Sequence, residues 1–191
     1  MDTIKVQKRD LSIKAKQLRR MGFVPGNVFG GSLKQSVSLK IDEGTARRLI
    51  RSKREGSKLE LDLEGQIIPV QIKEKMINNL NNDILQISFQ ALKADQKVNS
   101  VIHIVLENMD KTMGTLEKML LEIPYASLPK DMIDTITIDV DAMPVGSVVT
   151  VRDIFQLKNE KIELQIDPEE ILLRVVDKKY ASGQAARQDG E

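Results

Sequence analysis

The sequence predicts two mostly β domains, and three observations carry that expectation. Short alternations of apolar and polar residues recur along most of the chain. Helical spacing of apolar residues is confined to two brief stretches, both before residue 56. A polar stretch at residues 93–97, Lys-Ala-Asp-Gln-Lys, then separates two series of strands like a linker. A length of 191 residues suffices for two small domains, each with a modest core.

Residues 3–8 alternate, Ile4 and Val6 against Lys5 and Gln7, and read as a first strand. Leu11, Ala15 and Leu18 then fall at i, i+4 and i+7, one stripe of a short helix. Asp10 or Ser12 suits its start and Gly22 its left-handed stop. Lys16, Arg19 and Arg20 share another face of it. Pro25-Gly26-Asn27 reads as a turn, followed by Val28-Phe29 and Gly30-Gly31. Residues 36–41 alternate again, and Asp42 can cap a second helix through about Arg54, with Gly56 as the stop. Its apolar positions are Ala46, Leu49 and Ile50, with Arg47, Arg51 and Arg54 along another side.

Leu59, Leu61 and Leu63, the turn Glu64-Gly65, and Ile68, Val70 and Ile72 spell a β-hairpin. An Asn-rich loop at 78–82 leads to a strand at 84–89. Further strands are expected at 98–106, 119–123, 135–140, 148–151 and 171–176, punctuated by Pro124, Pro129, Pro144 and Pro168. The resulting domains are residues 1–92, net +7, and an acidic 93–178, with a disordered tail at 179–191.

Composition removes most enzymatic chemistry. The absence of Cys excludes thiol nucleophiles, thiolate metal sites and disulfides. The one histidine, His103, lies in an alternating strand between Ile102 and Ile104 and is expected on an outer face. Asp139 and Asp141 lack further convergent carboxylates and read as a solvated edge, so neither metal nor cofactor is expected. Gly30-Gly31-Ser32 lacks the Lys-Ser/Thr of a phosphate loop. No apolar run reaches the roughly 18 residues of a membrane span, and no secretory pattern opens the chain. A cytoplasmic protein without membrane association is expected.

The net charge of +1 conceals an asymmetry. Residues 1–56 hold 14 Lys+Arg against 5 Asp+Glu, a net of +9, whereas residues 57–191 hold 15 against 23, a net of −8. A basic segment on an acidic remainder points to a polyanion partner. The alternative is a solvated surface that happens to be basic. RNA recognition needs cations for phosphates, and Arg9, Lys14, Lys16, Arg19 and Arg20 supply them.

The run Gln17-Leu18-Arg19-Arg20-Met21-Gly22-Phe23-Val24-Pro25-Gly26-Asn27-Val28-Phe29-Gly30 resembles the Leu-Arg-Arg-x-Gly-x-x-Pro-…-Tyr-Gly segment of a bacterial family. That family is large-subunit ribosomal protein twenty-five, whose two-domain members are called general stress protein Ctc. Gly65, Pro69 and Val70-Gln71-Ile72-Lys73-Glu74 resemble its Gly-x-x-x-Pro-Val-x-Ile-Lys-Glu hairpin. Asp83 to Phe89 stands where its Leu-x-His-Val-Asp-Phe ends the first domain. In the second domain, Leu128-Pro129-Lys130-Asp131-Met132-Ile133-Asp134 is similar to Leu-Pro-x-x-Ile-Pro-Glu. Ile138-Asp139-Val140 through Arg152-Asp153-Ile154 is similar to Val-Asp-Val-…-Val-x-Asp-Leu.

The resemblance covers about residues 1–177 and implies a mainly β fold. Its first domain is a small β-barrel with two short helices, which binds 5S ribosomal RNA, and a second β domain follows. It implies a non-enzymatic constituent of the large ribosomal subunit, ribosome-associated, with neighbouring ribosomal proteins as a further partner of the second domain. By position, Arg9, Arg19 and Arg20 are its phosphate and groove contacts, with Lys14 and Lys16 beside them. Phe29 stands at the family's Tyr, Gln86 at its His and Ser88 at its Asp. Those departures, with Met113-Gly114-Thr115-Leu116 for Gly-Gly-Val-Leu, motivate an alternative: a divergent stress-related, ribosome-associated or protein-interaction module without specific 5S recognition.

Overall fold

A computed structural model describes residues 2–157 and 161–177. The strands are β1 (Thr3–Lys8), β2 (Phe23–Phe29), β3 (Val37–Asp42), β4 (Lys58–Leu63), β5 (Gln66–Asn78), β6 (Asp83–Ala91), β7 (Val98–Glu107), β8 (Thr115–Lys118), β9 (Glu122–Ser127), β10 (Thr135–Asp139), β11 (Val148–Thr150), β12 (Ile162–Leu164) and β13 (Ile171–Val176). Two α-helices, α1 (Ala15–Arg20) and α2 (Glu43–Ser52), precede β2 and β4. The chain divides into two compact units. One holds Met1–Ser100 with Leu128–Asp134, and the other Val101–Ser127 with the described residues from Thr135 onward. The first unit therefore runs past residue 92, through Ser100, and takes in a later loop.

The first unit is a closed barrel with strand order β1-β3-β2-β6-β5-β4. The pairs β1·β4 and β2·β6 are parallel and the others antiparallel. Alternate positions point inward and fill it: Val28, Leu39, Ile41, Leu59, Leu61 and Phe89 are all fully buried. The β4–β5 turn is a two-residue hairpin with Glu64 and Gly65 at φ 55 and 92, the left-handed pair that matches strand twist. The Asp42 side chain caps α2, accepting from the Thr45 N–H at 2.9 Å, and α2 buries Ala46 and Leu49.

The second unit contains a four-stranded sheet, β10-β7-β9-β12, and a three-stranded sheet, β11-β13-β8. Ile102, Ile123, Tyr125, Val140, Val151, Leu172 and Leu173 are among its fully buried side chains.

Four expectations need correction. Pro25-Gly26-Asn27 is not a turn but the middle of β2, paired with β3 on one side and β6 on the other. Gly26 is there for backbone approach, since a Cβ would lie 2.9 Å from the Ile87 carbonyl oxygen. Leu11 lies outside α1 and is 74% exposed, because the Asp10 carboxylate accepts from the Ser12 N–H and turns the chain there. Of the strand expected at 119–123, only Glu122 and Ile123 are in a strand, the start of β9; residues 119–121 form the junction with β8, whose Met119 and Leu120 N–H groups both donate to the Leu172 carbonyl. His103 is buried rather than outward, because both faces of the inner strand β7 are covered at this level. Its Nδ1 lies 3.5 Å from the Glu122 carboxylate. The tail expected at 179–191 lies outside the described residues.

Candidate nucleic-acid interface

The period-2 rule sorts β2 into two faces. Val24, Gly26 and Val28 point into the barrel, so Phe23, Pro25, Asn27 and Phe29 take its outer side, where Pro25 is buried and the other three are half-buried. By the same alternation Ser38 and Lys40 of β3 and Gln86 and Ser88 of β6 lie on the outer side of the barrel, where Ser88 is nonetheless buried. Register then aligns them. Asn27 stands opposite Ser38 on one side and Ser88 on the other. The Arg9 N–H donates to the Ser38 carbonyl at 2.9 Å, which extends the row to the end of β1. With neighbouring strands ~4.8 Å apart, Arg9, Ser38, Asn27 and Ser88 span roughly 14 Å across the wall.

The row is knit by side chains. Gln86 Nε2 donates to Asn27 Oδ1 at 3.3 Å and to Ser88 Oγ at 3.4 Å. Lys40 Nζ sits 5.0 Å from the centroid of the Phe23 ring, a cation–π contact on the same wall. The Arg9 guanidinium donates from Nη2 to the Ile13 carbonyl at 2.9 Å, while its buried Nε has no partner. The Asp10 carboxyl that shapes this loop is held below its ordinary value by the N–H of Ser12.

Helix α1 lies beside β2 and buries Leu18 against the barrel. Lys16, Arg19 and Arg20 do share one face, as their spacing requires. They line a cleft of about 360 Å³ with Phe23, Asn78 and Asp83. Arg19 Nη1 reaches the Leu85 carbonyl at 3.4 Å, next to Gln86. The acids at the cleft are engaged elsewhere: Glu43 binds Arg47, and Asp83 accepts from Asn81 at 2.7 Å. Among the described residues none of Arg9, Lys14, Lys16, Arg19 and Arg20 makes an ion pair.

Among the sequence-expected residues, the structure thus unites Gln86 and Ser88 through Asn27, and Lys16, Arg19 and Arg20 around the cleft. Arg9 joins the row through Ser38. Phe29 is half-buried at the far end of β2, opposite Gln90, and Lys14 is exposed just before α1. Sequence reasoning missed Phe23, Asn27, Ser38 and Lys40. The signal was present, since Val24, Gly26 and Val28 alternate with Phe23, Pro25 and Asn27, but the Pro-Gly-Asn run reads first as a turn.

This wall offers cations, amides, hydroxyls and rings, and no nucleophile paired with a base. Among the described residues no group of three or more His, Asp or Glu is placed to hold a metal ion. Among the described residues no helix is long and apolar enough to cross a membrane. The fold and site therefore define a two-unit β protein whose barrel wall carries cations without carboxylate partners. Residues 4–89 match the Ribosomal L25p family, and residues 97–179 match the C-terminal domain of ribosomal protein TL5.

Similar proteins include the large ribosomal subunit protein bL25 of Akkermansia muciniphila, 28% identical over 90% of this chain and 85% of that protein. The bL25 protein of Gloeothece citriformis is 28% identical over 94% of this chain and 93% of its own. That of Dictyoglomus thermophilum is 26% identical over 98% and 95%. This chain belongs to the Ribosomal L25p family, in the form that carries a TL5-type second domain.

Proposed function

We infer that the chain is a structural, non-enzymatic constituent of the large ribosomal subunit in the cytoplasm, and that its barrel wall binds 5S ribosomal RNA. One observation carries the reading: five cationic side chains around the wall and cleft lack carboxylate partners, beside a polar row about 14 Å long. Arg9, Arg19 and Arg20 engage phosphates, with Lys14 and Lys16 adding charge. Asn27 and Gln86 present donors and acceptors to a groove, where folded RNA is read by shape and 2′-hydroxyls, and the buried Ser88 holds Gln86 in place beside them. Phe29 packs against sugar or base at the end of the row. Support for retained recognition comes from Gln86, which tethers Asn27 and Ser88 where a His and an Asp stand in the pattern resembled. Neighbouring ribosomal proteins are the partners proposed for the acidic second unit.

Filter binding of the full chain to 5S RNA tests this, with an unrelated RNA duplex as competitor. Specific binding at physiological salt is expected, weakening steeply as salt rises. Equal affinity for the two RNAs overturns the 5S assignment. Sedimentation of cell lysate tests the ribosomal assignment separately, and the chain is expected to travel with the large subunit.

A further inference from the structure

One group of cations is not used by the wall. Helix α2 and the residue pair after it carry Arg47, Arg48, Arg51 and Arg54, all exposed. Arg47 and Arg51 fall at i and i+4 of α2, so their side chains share one face about 6 Å apart along the axis at 1.5 Å per residue, and Arg54 follows just after Lys53, where the chain leaves the helix in an extended conformation. Only Arg47 has a carboxylate, Glu43, at 2.7 Å. Arg48 reaches Thr45 Oγ1 at 3.3 Å, a neutral partner. Among the described residues the Arg51 and Arg54 side chains have neither an ion pair nor a hydrogen bond. Positive charge is crowded here. Burial pushes the Lys75 ammonium below its ordinary value, with Glu55 opposing the shift and Arg54 adding to it.

The helix lies at one end of the barrel. It connects the end of β3 to the start of β4, and clefts beside it are lined by Thr3 at the start of β1 and by Ile77 and Ile84 at the β5–β6 end. The cleft of Lys16, Arg19 and Arg20 adjoins this end, sharing Glu43 and Ile84 with it, but no α2 arginine lines that cleft, and the polar row lies further along the strands. Asn27 is four residues along β2 from Phe23, or ~13 Å at 3.3 Å per residue. That distance exceeds the roughly 8 Å screening length of physiological salt. The end of a barrel also faces roughly perpendicular to its wall, so a rod-like duplex lying along β3, β2 and β6 leaves α2 uncovered.

The chemistry of the face selects its partner. Besides the arginines, the exposed α2 residues are Gly44 and Ser52. Protein interfaces need an apolar core, whereas nucleic-acid interfaces are polar and strongly positive. Forked guanidinium groups fit phosphate oxygens in a bidentate manner. We propose that the α2 end of the barrel is a second RNA-docking surface, distinct from the wall, so that the barrel bridges two RNA segments. The bridging rests on the RNA reading of the wall, and the α2 contact does not.

The test uses the full chain. Immobilised 5S RNA, saturated with protein, is offered a fluorescent 20-base-pair RNA duplex of unrelated sequence. Capture of the duplex is expected. With Arg48→Gln, Arg51→Gln and Arg54→Gln combined, capture falls at least tenfold while 5S binding stays within about threefold. The triple Lys variant keeps most of the capture, which separates loss of charge from misfolding. No capture by the wild type, or capture unchanged in the Gln variant, overturns the bridge.

If the wild type does not bind 5S RNA, the wall reading fails by itself, and direct titration with the duplex decides the α2 contact. It stands if the Gln triple weakens duplex binding tenfold and Arg19→Ala with Arg20→Ala does not. It falls if the Gln triple changes nothing. A 20-residue polyglutamate peptide that binds as tightly as the duplex assigns the face to acidic protein and overturns the RNA contact.

Discussion

The barrel wall and the second unit treat charge in opposite ways. In the second unit, both described arginines, Arg152 and Arg174, find carboxylate partners within the unit. Arg174 meets Glu117 at 2.5 Å, and Arg152 meets Glu169. Asp139 accepts from Asn108 at 2.8 Å and from the Asp141 N–H at 2.9 Å. On the wall, the cations of Arg19, Arg20 and Lys16 surround a cleft whose acids are bound elsewhere. A protein that needed those cations only for its own stability would have paired them. The contrast teaches where a polyanion belongs: the +9 of residues 1–56 is potential not consumed by the fold.

The largest test of that contrast removes two wall cations. Arg19→Ala with Arg20→Ala should weaken 5S binding about 100-fold or more, at ~1.5–3 kcal/mol per charged hydrogen bond. The logarithmic salt slope should fall by about 1 for each phosphate no longer neutralised. Arg152→Ala in the second unit should change affinity by less than about twofold. Filter binding across a salt series measures all three, and an equal loss from Arg152→Ala breaks the comparison.

Next in size is the support beneath the row. Gly26→Ala forces a Cβ against the Ile87 carbonyl oxygen at 2.9 Å and the Ile41 side chain at 3.3 Å. Destabilisation of about 1–3 kcal/mol is expected, read by urea unfolding followed by circular dichroism. Amide shifts should concentrate in β2 and β6. Unchanged stability would mean that the wall does not depend on close packing of these strands.

A smaller effect sharpens the role of the polar row. Gln86→Ala should cost about 0.5–1.5 kcal/mol of 5S affinity, a few-fold to about tenfold, and leave the salt slope unchanged because no charge is removed. A changed slope would show that Gln86 acts by placing a cation rather than by touching RNA.

The smallest effect lies in the second unit. Donation from Asn108 and then from the Asp141 N–H holds the Asp139 carboxyl below its ordinary value. A lowered folded value means that the ionised form favours folding. This contribution is present above the ordinary carboxylate range and lost as pH falls through the lowered folded value. Carboxyl NMR should give a midpoint below 3.8 for Asp139, rising toward it in Asn108→Gly. Glycine tolerates the left-handed φ of 57 at that position.

Much of this protein is determined locally. Alternation in residues 58–72 dictates the β4–β5 hairpin because one face must be apolar and Glu64-Gly65 accepts left-handed angles. Asp42 starts α2 because its carboxylate reaches an N–H three residues on. The i, i+3, i+4 spacing of Lys16, Arg19 and Arg20 places them on one face whatever surrounds them. Other features were decided by partners distant in sequence. Pro25-Gly26-Asn27 has the local preference of a turn, and hydrogen bonding to β3 and β6 draws it into a strand. His103 is buried because tertiary packing covers both faces of β7 at this level, as the burial of Ile102 and Ile104 alongside it shows, which alternation alone does not set. The row of Arg9, Ser38, Asn27 and Ser88 joins positions up to 79 residues apart, as their numbering shows. Periodicity assigns each residue a face, and only the register of paired strands decides which residues on that face become neighbours.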